Sequence, residues 1–223
     1  MRIAAFSDVH GDSASLTRVL DGIELERVDL TANLGDAFSG SLEPENVAEL
    51  LIDRPIISVR GNHDRLMCGD PGKLAVPDLH ARNALTDVQL NWVRCLPEIE
   101  RPVADVLLVH GIPSDDTLGL LETATDRGLR PATAEEVDER LGDERASLIL
   151  CGHTHVPRVR LRPNDQIIVC PGSVHHSLIS NNVNLAGAKG AISYAIVTKS
   201  RERWASEIVI IDEVGGVTRF HSS

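Results

Sequence analysis

Eight side chains suited to metal ligation or proton transfer stand at the ends of short apolar runs: Asp8, His10, Asp36, Asn62, His63, His110, His153 and His155. Imidazole, carboxylate and amide donors without a thiolate suit divalent cations such as Mn, Fe, Co, Ni or Zn. Eight donors exceed what a single ion takes, and a carboxylate can bridge two ions while each imidazole serves one. Two cations held about 3.5 to 4 Å apart acidify a water and neutralise charge on a transferring phosphoryl group. The residue types therefore point to two-metal phosphoryl chemistry.

These side chains act together only if the fold brings them together. Residues 3–7 lead into Asp8-Val9-His10, residues 28–34 into Gly35-Asp36, and residues 55–59 into Arg60-Gly61-Asn62-His63-Asp64. Residues 106–109 lead into His110-Gly111, and residues 148–151 into Gly152-His153-Thr154-His155. Short continuous apolar runs are the pattern of strands buried on both faces. Such strands deliver polar residues to the carboxyl edge of a sheet, where α/β proteins bind ligands. A single Gly-Asn-His-Asp reads more readily as a surface turn, and the repetition is what reverses that preference. Were the five strands neighbours in one sheet, their ends would meet.

The intervening segments fill in the architecture. Leu16, Val19, Leu20 and Ile23 recur at helical spacing between the first two strands, making a βαβ unit. Pro44 opens a helix carrying Val47, Leu50 and Leu51, and Thr86 with Gln89 forms a capping box for a helix that Pro97 stops. Residues 66–83 read as a loop over the site or a mobile edge. Residues 113–146 read as a peripheral insertion with one clear helix, boxed by Thr133 and Glu136 and ended by Gly142. Within residues 157–212, two antiparallel hairpins are expected. Hairpins after a βαβ series suggest a second sheet packed on the first. The expected fold is α/β, a four-layer αββα sandwich of two mixed β-sheets flanked by helices, in one domain spanning 1–223.

Composition narrows the partners. The 223 residues are 42% hydrophobic and 25% charged, which suits a globular chain with one substantial core. Twenty-two basic against 33 acidic residues give a net charge of −11. That balance opposes binding to a nucleic acid polymer or an anionic membrane, since both select basic surfaces. A small phosphorylated substrate drawn in by metal charge is compatible with it. Cys68, Cys95, Cys151 and Cys170 form no C-x-x-C pair and read as reduced thiols. Asp8 and His10 interrupt the first apolar run short of a signal peptide, and no stretch reaches the roughly 20 apolar residues of a membrane span. The expectation is a cytoplasmic protein, with homo-oligomerisation left open.

The ordered series D-x-H, G-D, G-N-H-D, H-G and G-H-T-H, from Asp8 to His155, resembles the calcineurin-like metallophosphoesterase superfamily. Residues 85–97, the following His110-Gly111-Ile112-Pro113, and Val169-Cys170-Pro171-Gly172-Ser173-Val174 resemble its small, single-domain prokaryotic phosphodiesterase branch. The resemblance implies that Asp8, His10 and His155 bind one metal and that Asn62, His110 and His153 bind the other, with Asp36 bridging. Mn is the first expectation for both ions, ahead of Ni, Fe, Co, Zn or Mg. The implied reaction is hydrolysis of phosphodiesters, or of monoesters, by a metal-bridging hydroxide. His63 matches the position that contacts substrate and assists the leaving group. A ligating imidazole is neutral whereas a proton donor is not, so the motif histidines should divide by role. Asp64 is expected to cap a turn or to orient a histidine, and Thr154 to be a turn residue.

Two departures from the branch bear on specificity. Its Pro-Gly-Ser usually continues into Pro-Arg, and here His175-His176-Ser177 stands near that place; His-Gly is often followed by Ser, and here by Ile112. His175 and His176, with Asn62, are therefore candidate substrate contacts, the alternative for the pair being exposed loop residues. Other functions share the motifs. A phosphoprotein or dinucleotide phosphatase is one; a non-catalytic scaffold on the same fold, as the resemblance implies for the retromer coat subunit, is another. Retention of all eight polar positions, His63 included, weighs against the scaffold.

Overall fold

Alternate residues of the apolar runs serve two different cores, which is why the runs are continuous. A computed structural model describes residues 1–40, 42–175, 191–201 and 203–222. In it β1 (Arg2–Phe6), β2 (Leu30–Asn33) and β3 (Ile56–Ser58) are parallel neighbours. A second sheet contains β4 (Ile99–Glu100), β5 (Val106–Val109), β8 (Leu148–Leu150), β9 (Arg158–Leu161) and β10 (Ile167–Cys170), in the order β4-β5-β8-β10-β9. Its three central strands are parallel and both edges antiparallel. β11 (Ile192–Ser200), β12 (Arg203–Ile211) and β13 (Val217–Ser222) extend the first sheet to the order β13-β12-β11-β1-β2-β3. They do so by antiparallel pairing.

Ala4 and Phe6 of β1 pack with Leu16 of α1 (Ser13–Leu25), Val47 of α2 (Pro44–Ile52), Ala81 of α4 (Val76–Ala84) and Leu90 of α5 (Asp87–Cys95). The alternate residues Ile3 and Ala5 join Val106, Leu108, Leu148 and Leu150 between the sheets. Leu107, Val109 and Ile149, facing the other way, pack against Val137 and Leu141 of α6 (Ala134–Leu141). The layers are thus helix, sheet, sheet, helix, as the sequence predicts.

Four details differ from the sequence reading. The motif strands are not neighbours in one sheet: β1, β2 and β3 lie in the first and β5 and β8 in the second. A strand apolar on both faces looks the same in either sheet, so the pattern carries no partner information. The two expected hairpins likewise part company, β9-β10 extending the second sheet and β11-β12 the first. Residues 66–83 are mostly ordered rather than loop, containing the end of α3 (Asn62–Met67), a 3₁₀ turn at Pro71–Lys73 and α4. Finally, the segment read as a peripheral insertion supplies the outer layer of the second sheet through α6. It also holds an antiparallel ribbon of β6 (Glu122–Thr125) and β7 (Gly128–Pro131), absent from the sequence reading. All four cysteines are free. Among the described residues, no helix is long and apolar enough to cross a membrane.

Candidate metal centre

The carboxyl ends of the two sheets face one another, and the loops leaving β1, β2, β3, β5 and β8 meet there. Asp8, His10, Asp36, His153 and His155 all have φ between 50° and 72°. They are five of the eight described non-glycine residues in the left-handed region. Each such residue costs on the order of 1 kcal/mol, and Asp and His are among the side chains that tolerate it best. Tertiary hydrogen bonds hold the strained loops. Asp8 N–H donates to Gly35 O at 3.0 Å and His10 N–H to Asp36 O at 3.1 Å. The buried Asp64 carboxylate accepts from the backbone N–H of Asp36 (2.8 Å), Ala37 (3.0 Å) and Gly61 (3.1 Å), tying the β2 loop to the β3 loop. Asp64 is therefore a cap rather than a histidine's partner. Burial, with the neighbouring Asp36 charge, pushes its carboxyl up to about 7. Gly61 has no substitute here, since a Cβ would lie 2.2 Å from Asp36 Oδ1.

One donor group is Asp8, His10 and His155. His155 Nε2 lies 3.2 Å and His10 Nε2 3.9 Å from Asp8 Oδ1, and the two ring nitrogens are 3.1 Å apart. His10 Nδ1 is 2.7 Å from Ser39 O, a pure acceptor, so Nδ1 carries the proton and Nε2 presents its lone pair. The second group is Asp36, His110 and His153. His110 Nδ1 donates to Leu34 O at 2.8 Å, and its Nε2 lies 3.1 Å from both Asp36 Oδ2 and Asn62 Oδ1. His153 Nδ1 is 3.1 Å from the same Asn62 oxygen.

Charge is distributed unevenly over these rings. Burial opposes ionisation of the Asp36–His110 pair, yet mutual attraction wins. It holds the Asp36 carboxyl well below the usual range and pushes His110 up to about 10. Against the same desolvation, Asp8 raises His155. Burial lowers His10 and His153. The arrangement fits divalent cations. Asp8 Oδ1 is buried with no hydrogen bond, while His155 Nε2 and His10 Nε2 converge on it. Carboxylate and imidazole donors at this density suit first-row ions.

His63 stands apart from both groups. Its N–H donates to Asp36 Oδ1 at 2.9 Å, its Nδ1 is 2.8 Å from Asp78 Oδ1, and its side chain is 38% exposed. The ring centroid is 5.7 Å from that of His10. Asp78, buried on α4, also accepts from Ser39 Oγ at 2.6 Å. Sequence reasoning missed Asp78 because it falls in the stretch read as loop. A Pro at the first turn of α4, followed by Asp, was the available signal.

The remaining candidates lie around this centre. His175 Nδ1 is 3.3 Å from Asp12 Oδ2, and its ring centroid is 6.1 Å from that of His10, at the margin of the cluster. Its N–H donates to Asp8 O at 3.1 Å, bracing the β1 loop. His176 lies outside the described residues. Ile112 is buried in the outer core. Thr154 Oγ1 donates to Glu122 Oε2 at 2.7 Å, and the buried Glu122 also pairs with Arg158.

The model of the calcineurin-like phosphoesterase family matches residues 1–157. An uncharacterised protein of Methanocaldococcus jannaschii is 25% identical over 197 residues, covering 77% of this chain and 75% of its own. A metallophosphoesterase from Sphaerobacter thermophilus superposes with a TM-score of 0.66 at 24% identity, covering all of this chain and 89% of its own. Vacuolar protein sorting 29 from Cryptosporidium parvum superposes at 0.59 with 12% identity, covering 100% and 97%. At these identities, the two solved structures bear on the fold alone.

Proposed function

The chain belongs to the calcineurin-like phosphoesterase family, and from that premise we propose that it hydrolyses phosphodiesters, with monoesters as secondary substrates. Two divalent cations, Mn first, would be held by Asp8, His10 and His155 and by Asn62, His110 and His153, with Asp36 between them. When bound, such ions acidify a water and neutralise charge on the phosphoryl group. The chain's own residues do the rest. Asp36 receives His110 at one oxygen and the His63 N–H at the other, coupling the position of the acid to that of the ligands. Asp78 holds His63 Nδ1 protonated and the ring turned, so Nε2 is the nitrogen that delivers a proton to the leaving oxygen. Asp78 is thus a positioning residue, and the small acidic chain favours a small substrate over a polymer. The four free thiols accord with a reducing, cytoplasmic setting.

The observation that carries this reading is the half-buried His63, held by the buried Asp78 beside two donor groups. A scaffold or a structural metal site has no use for an oriented, solvent-facing imidazole. A phosphoprotein or dinucleotide phosphatase would share the pair, so substrate breadth decides among the enzymes. Protein reconstituted separately with Mn, Ni, Mg and Zn should turn over diesters from a panel of mono- and diesters. A metal-replete protein inert toward every ester would overturn the proposal.

A further inference from the structure

A cavity of about 370 Å³ opens beside the two donor groups, and nothing in the proposed chemistry accounts for it. His153 and His155 form its inner wall, and Leu118, Ala124 and Leu129 its outer one. Leu118 and Leu129 are 41% and 39% exposed, placed there by the loop after β5 and by the β6-β7 ribbon. Exposed leucines facing a void next to metal donors leave apolar surface in water, and a ligand that covers them gains from its removal. Among the described residues lining the cavity there is no Lys or Arg. The carboxylate at its wall is Glu122, whose oxygens are already taken by Thr154 and Arg158. A second phosphate there would meet a carboxylate and no free cation.

The wall also has a direction. His63 is held by Asp36 and Asp78 near His10, and none of α3 or α4 lines the cavity. The leaving group departs toward His63. We propose that this cavity, resting on the phosphodiesterase reading above, receives the group that stays on phosphorus, and that this group is uncharged and apolar, such as an aryl or an alkyl chain. Among the described residues lining the cavity, a retained group bearing a further phosphate would meet no countercharge.

Binding of methylphosphonate and phenylphosphonate to the Mn-loaded protein, followed by titration calorimetry, separates this from turnover. The phenyl compound should bind at least about tenfold tighter, the scale on which apolar pockets discriminate. Leu129→Asp should bring the ratio close to one, and Leu118→Ala should lower it in the same direction. Diesters sharing a p-nitrophenolate leaving group, with methyl or phenyl as the retained group, should show the same ratio in kcat/KM. A ratio near one in the unmodified protein, or one that neither substitution moves, overturns the cavity's role. Discrimination between phosphonates without hydrolysis of any diester would uphold the cavity and sink the phosphodiesterase reading instead.

Discussion

Loading the centre with metal should expel protons, and the geometry says how many. Both nitrogens of His110 face acceptors: Leu34 O at 2.8 Å from Nδ1, and Asp36 Oδ2 and Asn62 Oδ1 at 3.1 Å from Nε2. The metal-free ring therefore carries both protons, in keeping with its rise to about 10. A ligating imidazole must give up its Nε2 proton. At pH 7.5 that amounts to about one full proton from His110, because the pH lies far below its pKa. His155, also raised, contributes a fraction, whereas His10 and His153, lowered by burial, are already neutral and contribute none. Between about one and two protons per chain should thus leave when both groups fill. Calorimetric titration with Mn in buffers of different ionisation enthalpy measures the number directly, and His110→Ala should lower it by about one. The affinity at this group should fall about tenfold for each unit of pH below the His110 pKa. A binding enthalpy independent of buffer, with affinity flat between pH 7 and 8, would refute the assignment of His110 as a charged ring displaced by metal.

Three more outcomes follow from the same contacts. Because the folded pKa of His110 is raised from 6.5 to about 10, its stabilisation is full below 6.5 and is lost as pH climbs through 10; the metal-free Tm should fall from pH 7 to 10 while the Mn-loaded Tm stays level, and parallel curves would contradict this. His63→Ala should lower kcat by roughly 10²- to 10⁴-fold with metal content intact, and Asp78→Asn by about 10- to 100-fold. The Asp78→Asn loss should be larger for poor leaving groups and absent in a His63→Ala background; additive losses would make Asp78 merely structural. Asp36→Asn should reduce metal content below about two ions per chain by elemental analysis and weaken both groups. Loss confined to one would remove its bridging role.

Much of this centre was legible because its residues break a simple pattern. A buried strand has no reason to end in Asp-x-His or Gly-His-x-His, so the runs before Asp8, Asp36, Asn62, His110 and His153 betrayed both the strands and the donors. The αββα layering could be inferred from the same runs, but which strand sits in which sheet could not. Ile3 and Leu148 are equally apolar, and only the folded chain shows them in different sheets that share one core. Asp78 was hidden for a different reason. Its contact with His63 spans 15 residues and depends on where α4 packs, through Ala81, against the first sheet's core. The β6-β7 ribbon escaped because its strand residues are largely exposed and show no alternation.

The left-handed backbone at Asp8, His10, Asp36, His153 and His155 sets stability and chemistry against each other at the same five positions. Glycine at any of them would relax the chain and delete a donor. A library selected only for thermal endurance should drift toward glycine there, while one selected for metal retention should not. The two lineages would diverge first at the mouths of the strands and last in the cores.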